Sequence, residues 1–424
     1  MPNSSQGGEP GPKRGGSRAA WVLAGGLVLL VTMAVIGKFL HGDLKDAEVW
    51  YDAGRRALEG RRLADLPHYR YPPVFAVLVA PLTALGMAPF FFIWYGLNVG
   101  LFGVALWLAG RIVFAPGEAP AARSYWLPGL LVAAYGIDNL FLGQTNILVM
   151  ALVYWCFLED LQGRGWRAGW PLGVAIAIKV FPAPVVAYLL YRRRWRAAIT
   201  ALACCAFLLL ILPAPVRGFH RNLAEMADWG ERVAMPFLSK GRAGDWGQHS
   251  LDFGNQSAPA VARRFLTHVD AQVAARKARP IYVNLASLSE SQASRVVLGV
   301  FAVLVAAFLA ACGWRTPRDQ RQWATEYSLV TALLLLTSAL SWTYFFVMLL
   351  LPAMQALRLV GQPTAIRPVS ARALRGALWG LVIAALLLGN HYARALGSVF
   401  WATMLMFAAL AMARYDLRRE APAG

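Results

Sequence analysis

Residues 71–110 form an uninterrupted run of forty residues without a charged side chain. A soluble domain usually has about 25% charged residues, whereas one helix that crosses a bilayer needs about 20 predominantly apolar residues. In this chain of 424 residues, 58% are hydrophobic and 15% are charged, and the four cysteines lie inside apolar runs. This pattern excludes a soluble domain and a secreted disulfide scaffold. It predicts an all-α integral membrane protein.

Hydropathy divides the chain into about twelve predicted membrane spans. The first is 20–37, and residues 71–110 are long enough for two spans, separated by a break near Gly86 and Pro89. The other nine are 126–142, 146–158, 169–191, 197–213, 296–314, 327–341, 343–357, 376–390 and 395–413. The prediction is therefore a multispanning helical bundle, and the even number places both termini on one side.

The arginine-rich clusters predict which side that is. All five clusters face the cytoplasm if the N-terminus does, and they lie at 13–18, 192–196, 315–321, 358–375 and 414–419. Four arginines fall on the outside under this count: Arg111, Arg123, Arg164 and Arg167. Most of the net charge of +19 is explained by these arginines, which fix the topology and contact anionic lipid headgroups. Nucleic acid is not an expected partner, because that requires a basic patch on a folded surface.

The spans and loops predict five regions in a multi-pass protein of the inner (plasma) membrane. These are a disordered cytoplasmic tail at 1–19, a transmembrane module at 20–213 with an outer loop at 41–70, a large extracytoplasmic loop at 214–294, further transmembrane helices at 295–413, and a cytoplasmic tail at 414–424. Two long loops on the outer face suggest that the protein functions there.

The loop 41–70 contains the first candidate for chemistry. Its apolar residues Trp50, Ala53 and Ala57 follow a helical period, which predicts a short amphipathic helix at the interface, with Asp46 at its start. Asp46 is either a helix N-cap or a carboxylate held at the membrane surface for chemistry. Arg70, at the end of the loop, is either an interfacial anchor or part of the same site.

Lys179 is the only charge in the predicted span 169–191. A lysine inside a span costs at least about 2.5–3.5 kcal/mol, so it usually faces a cavity or a partner rather than lipid. Pro182 and Pro184 follow it, and such prolines free backbone carbonyls where a helix is broken around a site. A phosphate partner explains Lys179 better than snorkelling does.

Other polar groups have either a structural role or a role in a site. Asp138 and Asn139, followed by Gly143 to Asn146, are typical of a turn between two apolar runs. Residues 341–344 read Ser-Trp-Thr-Tyr and suit an aromatic anchor at the membrane surface. None of the six histidines has the spacing of a zinc motif, so no metal is expected.

Several short motifs, taken in their order along the chain, resemble those of glycosyltransferase family 87 of the GT-C superfamily, the polyprenol-phosphate-mannose-dependent mannosyltransferases. The similarity covers roughly residues 40–350. Its motifs are Asp46-x-x-Val49-Trp50-Tyr51, Tyr71-Pro72-Pro73, Gly143-Gln144-x-Asn146, Lys179 followed by Pro182, Arg193-Arg194-Trp195-Arg196, Gly254-Asn255-Gln256-Ser257, and Ser341-Trp342. The chain departs from the family at Tyr344, where a histidine usually follows Ser-Trp-x.

The resemblance implies a GT-C-type bundle that transfers a sugar, most often mannose, from a polyprenyl-phosphate carrier to a lipid or glycan acceptor. It implies Asp46 as catalytic base with Asp43 as runner-up, without a cofactor. It places the donor phosphate and lipid near Lys179, Arg70 and Tyr344, and the substrates near Tyr51, Gln144, Asn146, Asn255 and Trp342. The alternatives are another GT-C transferase (arabinosyl or aminoarabinosyl), a polymer ligase, or a lipid-linked-sugar transporter or flippase. Membrane lipids are further expected partners, and the oligomeric state is left open.

Overall fold

The computed structural model describes residues 15–236, 244–273 and 279–419. Its α-helices are α1 (Gly15–Leu40), α2 (Asp46–Leu58), α3 (Pro73–Thr83), α4 (Met87–Val113), α5 (Arg123–Leu131), α6 (Ala133–Leu142), α7 (Asn146–Leu161), α8 (Gly165–Ile178), α9 (Pro184–Tyr191), α10 (Trp195–Ala206), α11 (Ala214–Arg217), α12 (Phe219–Trp229), α13 (Ala258–Leu266), α14 (Glu290–Cys312), α15 (Gln320–Thr337), α16 (Leu350–Gly361), α17 (Pro368–Leu386), α18 (His391–Ala395) and α19 (Ser398–Arg419). Short stretches of 3₁₀-helix or π-helix lie at Phe207–Ile211, Gly230–Ala234, Gly244–Leu251, Thr343–Leu349 and Pro363–Ala365.

The described part of the chain is helical, as the hydropathy predicts. Six of its helices are long and apolar enough to cross a membrane by length and composition. This fits a membrane helical bundle, and the number of twelve spans stays a prediction. The predicted tail 1–19 lies outside the described residues up to position 14, and α1 already includes residues 15–19. Of the predicted tail 414–424, residues 414–419 belong to α19 and the rest lie outside the described part.

The helix bundle has two ends, which buried polar contacts identify. The first end is called here the Glu326 end. The carboxylate of Glu326 is fully buried there and accepts hydrogen bonds from Arg192 at 2.6 Å and Arg414 at 2.7 Å. Tyr188 donates to the same carboxylate at 3.0 Å. A buried carboxylate needs such partners because desolvation of an unpaired charge is costly. The second end, called here the Asp46 end, holds Asp46 and the starts of α2 and α7.

Residues 71–110 do not form two spans. The first part is α3, which has only eleven residues and lies beside α2: Trp50 packs on Phe75 with ring centroids 5.3 Å apart, and Gly54 faces Thr83. Helix α2 stays at the Asp46 end, so its neighbour α3 stays there too. Only α4, with 27 residues, runs to the Glu326 end. The amphipathic helix predicted in the loop 41–70 is confirmed as α2.

Residues 169–191 are two helices of opposite direction, not one span. Helix α8 runs alongside α10, with Gly165 against Arg196 and Gly173 against Cys204. The chain turns back at Lys179, which is extended, and α9 returns to the Glu326 end. Lys179 contacts the start of α7, while the Arg194 guanidinium lies 3.2 Å from the Asp160 carboxylate near the end of α7. The apolar composition is the same for both arrangements, so hydropathy cannot separate them.

The long segment 214–294 is fixed to the bundle by side chains that bond to backbone. Arg264 on α13 is fully buried and donates to the carbonyls of Asp252 at 2.9 Å, Asn255 at 2.8 Å and Ala395 at 2.9 Å. Gln256 donates to the carbonyl of Arg394 at 2.7 Å. Buried polar groups usually have hydrogen-bond partners, and these bonds attach residues 252–264 of the segment to the backbone around Arg394 and Ala395.

Gly143 joins three parts of the bundle at one backbone carbonyl. Its oxygen accepts hydrogen bonds from the indole N–H of Trp50 on α2 at 2.9 Å and of Trp94 on α4 at 2.8 Å. Gly143 has φ of +68°, a conformation that glycine adopts at little cost. A Cβ at this position would lie 2.7 Å from the Cβ of Ala47. The glycine is therefore needed both for its backbone angle and for the close approach of α2.

Gly143→Ala tests this junction against a matched glycine. Gly163 also has a positive φ, of +72°, but an added Cβ there would meet nothing within 4 Å. We expect Gly163→Ala to cost about 1–2 kcal/mol from the left-handed backbone alone. Gly143→Ala should cost about 1–3 kcal/mol more, because Ala47 and α2 must move. Equal losses of unfolding free energy in detergent would contradict this account of the junction.

Candidate active site

Asp46 is the first residue of α2, and its carboxylate does not cap that helix. The residue before it, Lys45, is the N-cap and makes no capping side-chain bond. The Oδ2 atom of Asp46 instead accepts a short hydrogen bond from the amide of Gln144. The oxygen of that amide accepts from the hydroxyl of Tyr71 at 3.3 Å. The carboxylate is therefore oriented by residues of two other segments, and the interpretation of Asp46 as an N-cap is wrong.

Burial separates the two aspartates of the first loop. The partly buried position of Asp46 raises the pKa of its carboxyl above the usual range, although the hydrogen bond from Gln144 opposes the shift. Asp43 is bound at 3.0 Å to Lys38 and at 2.9 Å to Lys45, and these lysines lower its pKa. A carboxylate with a raised pKa accepts a proton more readily, so Asp46 is the better candidate for a base.

Lys179 points into the same polar cluster. Its Nζ donates to Oδ1 of Asn146 at 2.9 Å and lies 3.9 Å from the centroid of the Phe345 ring. It also interacts electrostatically with Asp46. An ammonium group has three N–H donors, and one is used by Asn146. This arrangement agrees with a lysine facing polar partners and not with snorkelling towards the surface.

Tyr344 lies at the edge of this cluster. Its ring centroid is 5.8 Å from Nζ of Lys179, and the hydroxyl interacts electrostatically with Asp46. The family's usual histidine would carry a ring nitrogen at this place, whereas Tyr344 supplies a phenol. Five of the residues predicted from the sequence are thus brought together: Asp46, Gln144, Asn146, Lys179 and Tyr344.

Two other predicted residues have packing or backbone roles in the structure. Tyr51 packs on Phe90, with ring centroids 5.6 Å apart. It lies more than one turn beyond Asp46 on α2 and does not bond to the cluster. The backbone carbonyl of Arg70 accepts from the indole of Trp229 at 2.9 Å. Arg70 directly precedes Tyr71, so its backbone borders the site.

Asn255 and Trp342 connect two motifs to each other. The side chain of Asn255 donates to the carbonyls of Ser250 at 2.7 Å and Ala339 at 3.1 Å, and it accepts from the amide of Ser341 at 2.9 Å. Asn255 and Trp342 also form an isolated antiparallel bridge. The Gly-Asn-Gln-Ser and Ser-Trp motifs therefore hold the loop on the bundle. Their contact with a substrate stays a prediction.

Sequence reasoning missed three residues of this region. Tyr71 was noted only as part of a motif, yet its hydroxyl lies 2.7 Å from the hydroxyl of Thr145 and orients Gln144. Asp138 was interpreted as part of a turn, although a charge within a predicted span was the same signal that singled out Lys179. Its Oδ2 accepts from Thr343 at 2.6 Å. Arg394 carries no local sequence signal, because only the fold brings it towards Asp138.

The described residues contain no group of three or more His, Cys, Asp and Glu side chains close enough to hold a metal ion. The arrangement instead offers the partly buried carboxylate of Asp46, the partly buried ammonium group of Lys179, and the side-chain amides of Gln144 and Asn146 between them. It can accept a proton from a hydroxyl group and bind a negatively charged group nearby. That the chemistry needs no metal stays a prediction.

Comparison with known proteins places the chain among glycosyltransferases. A model of Glycosyltransferase family 87 matches residues 69–340, more than half of the chain. A polyprenol-phosphate-mannose-dependent alpha-(1-2)-phosphatidylinositol mannoside mannosyltransferase of Mycobacterium tuberculosis is 31% identical over 220 residues, which cover 45% of this chain and 49% of the relative. An alpha-(1->3)-arabinofuranosyltransferase of Corynebacterium glutamicum is 26% identical over 278 residues, 60% of this chain and 59% of the relative.

A third relative is a polyprenol-phosphate-mannose-dependent alpha-(1-2)-phosphatidylinositol pentamannoside mannosyltransferase of Mycolicibacterium smegmatis, 27% identical over 185 residues, which cover 42% of this chain and 43% of the relative. The chain thus spans about half the length of the curated relatives it matches. No solved structure matches it. The family match includes Tyr71, Gln144, Asn146 and Lys179, which surround Asp46 in the structure. The chain belongs to glycosyltransferase family 87.

Proposed function

We propose that this chain transfers a hexose, mannose in the first instance, from a polyprenyl-phosphate-sugar donor to a lipid or glycan acceptor. The observation that carries the proposal is the convergence of Asp46 and Lys179 on the segment 144–146. Family membership and the names of the mannosyltransferase relatives support it. A transporter or flippase would not need a base aligned in this way, and the family is one of transferases.

In this proposal Asp46 is the general base. The oxygen of an acceptor hydroxyl attacks the anomeric carbon and its proton passes to the Asp46 carboxylate. The bond between that carbon and the phosphate oxygen breaks, and its electron pair remains with the phosphate. Attack from the face opposite to the leaving group inverts the anomeric centre. The raised pKa of Asp46 favours the proton transfer, while Gln144 keeps one oxygen in place.

Lys179 stabilises the departing phosphate. Negative charge grows on the phosphate as the bond breaks, and a fixed cation in a poorly solvated place lowers the energy of that state. Asn146 orients the ammonium group, and Phe345 holds it by a cation–π contact. Because phosphate leaves without being protonated, a second carboxylic acid is not required. Arg70 and Tyr344 are the further candidates for contact with the donor.

A transfer of arabinofuranose is the second candidate. Two observations favour it: arabinofuranosyltransferases are among the relatives, and Tyr344 replaces the family's usual histidine beside Lys179. The proposed base and cation would serve either donor. Assays with polyprenyl-phosphate-mannose and polyprenyl-phosphate-arabinofuranose in parallel decide between the two.

The corrected helix directions lead to a revised topology. With α3 kept at the Asp46 end and the α8–α9 pair returning to its starting side, the four exceptional arginines move to the side of the other arginine clusters. By the positive-inside rule we place that side, and both termini, in the cytoplasm. The Asp46 end then faces the extracytoplasmic space, as the sequence predicts.

Cysteine labelling tests the revised topology. In a variant without its native cysteines, Arg164→Cys should resist a membrane-impermeant maleimide in intact cells and react after permeabilisation. Arg62→Cys, in the loop that contains α2, should react in intact cells. Labelling of position 164 from outside would restore the arrangement predicted by hydropathy and contradict the revised one.

Asp46→Asn tests the proposed base. The variant keeps the size of the side chain but cannot accept the proton, so we expect kcat to fall about 10²–10⁴-fold with polyprenyl-phosphate-mannose. Asp52→Asn removes the same charge from an exposed position of α2 and should transfer mannose as the wild type does. Turnover by Asp46→Asn within threefold of the wild type would contradict the assignment.

Lys179→Met tests the donor contact in the same assay. Loss of a charge-assisted hydrogen bond is worth about 1.5–3 kcal/mol, which corresponds to a roughly tenfold to hundredfold weaker interaction. We expect this loss in kcat/KM for the donor, measured with the acceptor saturating. A value equal to that of the wild type would leave Lys179 with a structural role only.

A further inference from the structure

Two oppositely charged side chains at the Asp46 end face each other without pairing. Asp138 and Arg394 interact electrostatically, yet neither a hydrogen bond nor an ion pair joins them. Within the described residues, the Asp138 carboxylate has one hydrogen bond, from Thr343 at 2.6 Å. The guanidinium of Arg394 reaches one acceptor, the carbonyl of Leu388, at the long distance of 3.5 Å, and its Nε–H is buried without a partner among these residues. Partly buried groups usually satisfy their hydrogen bonds, so this gap suits a ligand.

The surroundings fix Arg394, but among the described residues its guanidinium has only the long hydrogen bond to Leu388. Its guanidinium stacks on the ring of Phe253 at 4.5 Å. Gly254 allows the approach, since a Cβ there would lie 3.3 Å from Nη2 of Arg394 and 2.8 Å from the ring of Trp342. A flat indole, a guanidinium and a carboxylate therefore lie around one region.

The mixture of charges selects the chemistry of the ligand. A phosphate at this place would be attracted by Arg394 but repelled by Asp138. Other charged groups are already engaged: Lys38, which also acts on Asp138, is paired with Asp43 at 3.0 Å, and Asp252 accepts from the backbone N–H of Gly254 at 2.9 Å. A neutral polyol can donate its hydroxyls to Asp138 and accept from Arg394 at the same time. Aromatic rings beside such groups add apolar contact for the C–H face of a sugar.

We propose that Asp138 and Arg394, with Trp342, form a subsite for a neutral sugar unit of the acceptor. The inference rests on the proposed function, because only a glycosyl transfer requires a second sugar beside the donor. The position supports it. Thr343, which binds Asp138, precedes Tyr344, and Tyr344 interacts with both Asp138 and Asp46. The subsite and Lys179 thus both lie near Tyr344, which also interacts with Asp46.

The test measures saccharide binding by the full chain in detergent, without turnover. The probe is methyl α-mannoside, titrated by saturation-transfer NMR, and citronellyl phosphate, a short polyprenyl phosphate, is the probe for the Lys179 side. We expect Asp138→Asn and Arg394→Gln each to weaken methyl α-mannoside binding at least tenfold. The matched controls Asp52→Asn and Arg62→Gln lose the same charges at exposed positions and should bind the saccharide as the wild type does.

A competition experiment on the wild type avoids any effect of the substitutions on folding. Methyl α-mannoside should bind with the same affinity when citronellyl phosphate is saturating, because the two occupy different places. Competition between them, absence of saccharide binding, or unchanged binding by both variants overturns the subsite. If the wild type binds both probes but does not transfer mannose from polyprenyl-phosphate-mannose, the proposed function fails, and what remains is a saccharide-binding site at Asp138 and Arg394.

Discussion

The carbonyl oxygen of Gly143 is the point on which the site depends. Two indole N–H groups, from Trp50 and Trp94, converge on it from α2 and α4. The next residue, Gln144, binds Asp46, and the residue after Thr145 is Asn146, which binds Lys179. One short turn between α6 and α7 therefore fixes the position of the loop helix and orients both the proposed base and the proposed cation. A change in this turn should disturb all of these contacts together.

Hydropathy predicted the helical class, but it treated one short helix as a span and missed one reversal of the chain. An apolar helix of eleven residues, α3, reads like part of a span although it lies along α2. The segment around Lys179 reads like one interrupted span although α8 and α9 run in opposite directions. Each error shifts the side of the loops that follow. These two errors explain the exceptions to the positive-inside rule. The predicted side disagreed with that of every other arginine cluster at positions 111, 123, 164 and 167.

Motif order and a single misplaced charge predicted most of the site. Asp46, Gln144, Asn146 and Lys179 meet although 133 positions separate the first from the last. Asp138 could have been found by the argument used for Lys179, since both are charges within apolar runs. Arg394 could not, because arginines near helix ends are common and it is the packing of α18 against Gln256 and Arg264 that brings this one to the site. Long-range contacts of this kind depend on the fold and leave no local pattern.

The pH dependence of kcat/KM tests the central claim most directly, because it reports the base of the free enzyme. Asp46 must be deprotonated to act, and burial raises its pKa. The rate should therefore fall with decreasing pH in a limb above the usual carboxyl range of about 3.9. The phosphodiester of the donor does not titrate there.

Gln144→Leu removes the hydrogen bond that favours the ionised form of Asp46, so it should move this limb to higher pH. His68 is an exposed neighbour of Asp46, and the His68→Gln variant should keep the limb. A limb that disappears in His68→Gln, or one that Gln144→Leu leaves in place, would contradict the assignment of Asp46 as the base.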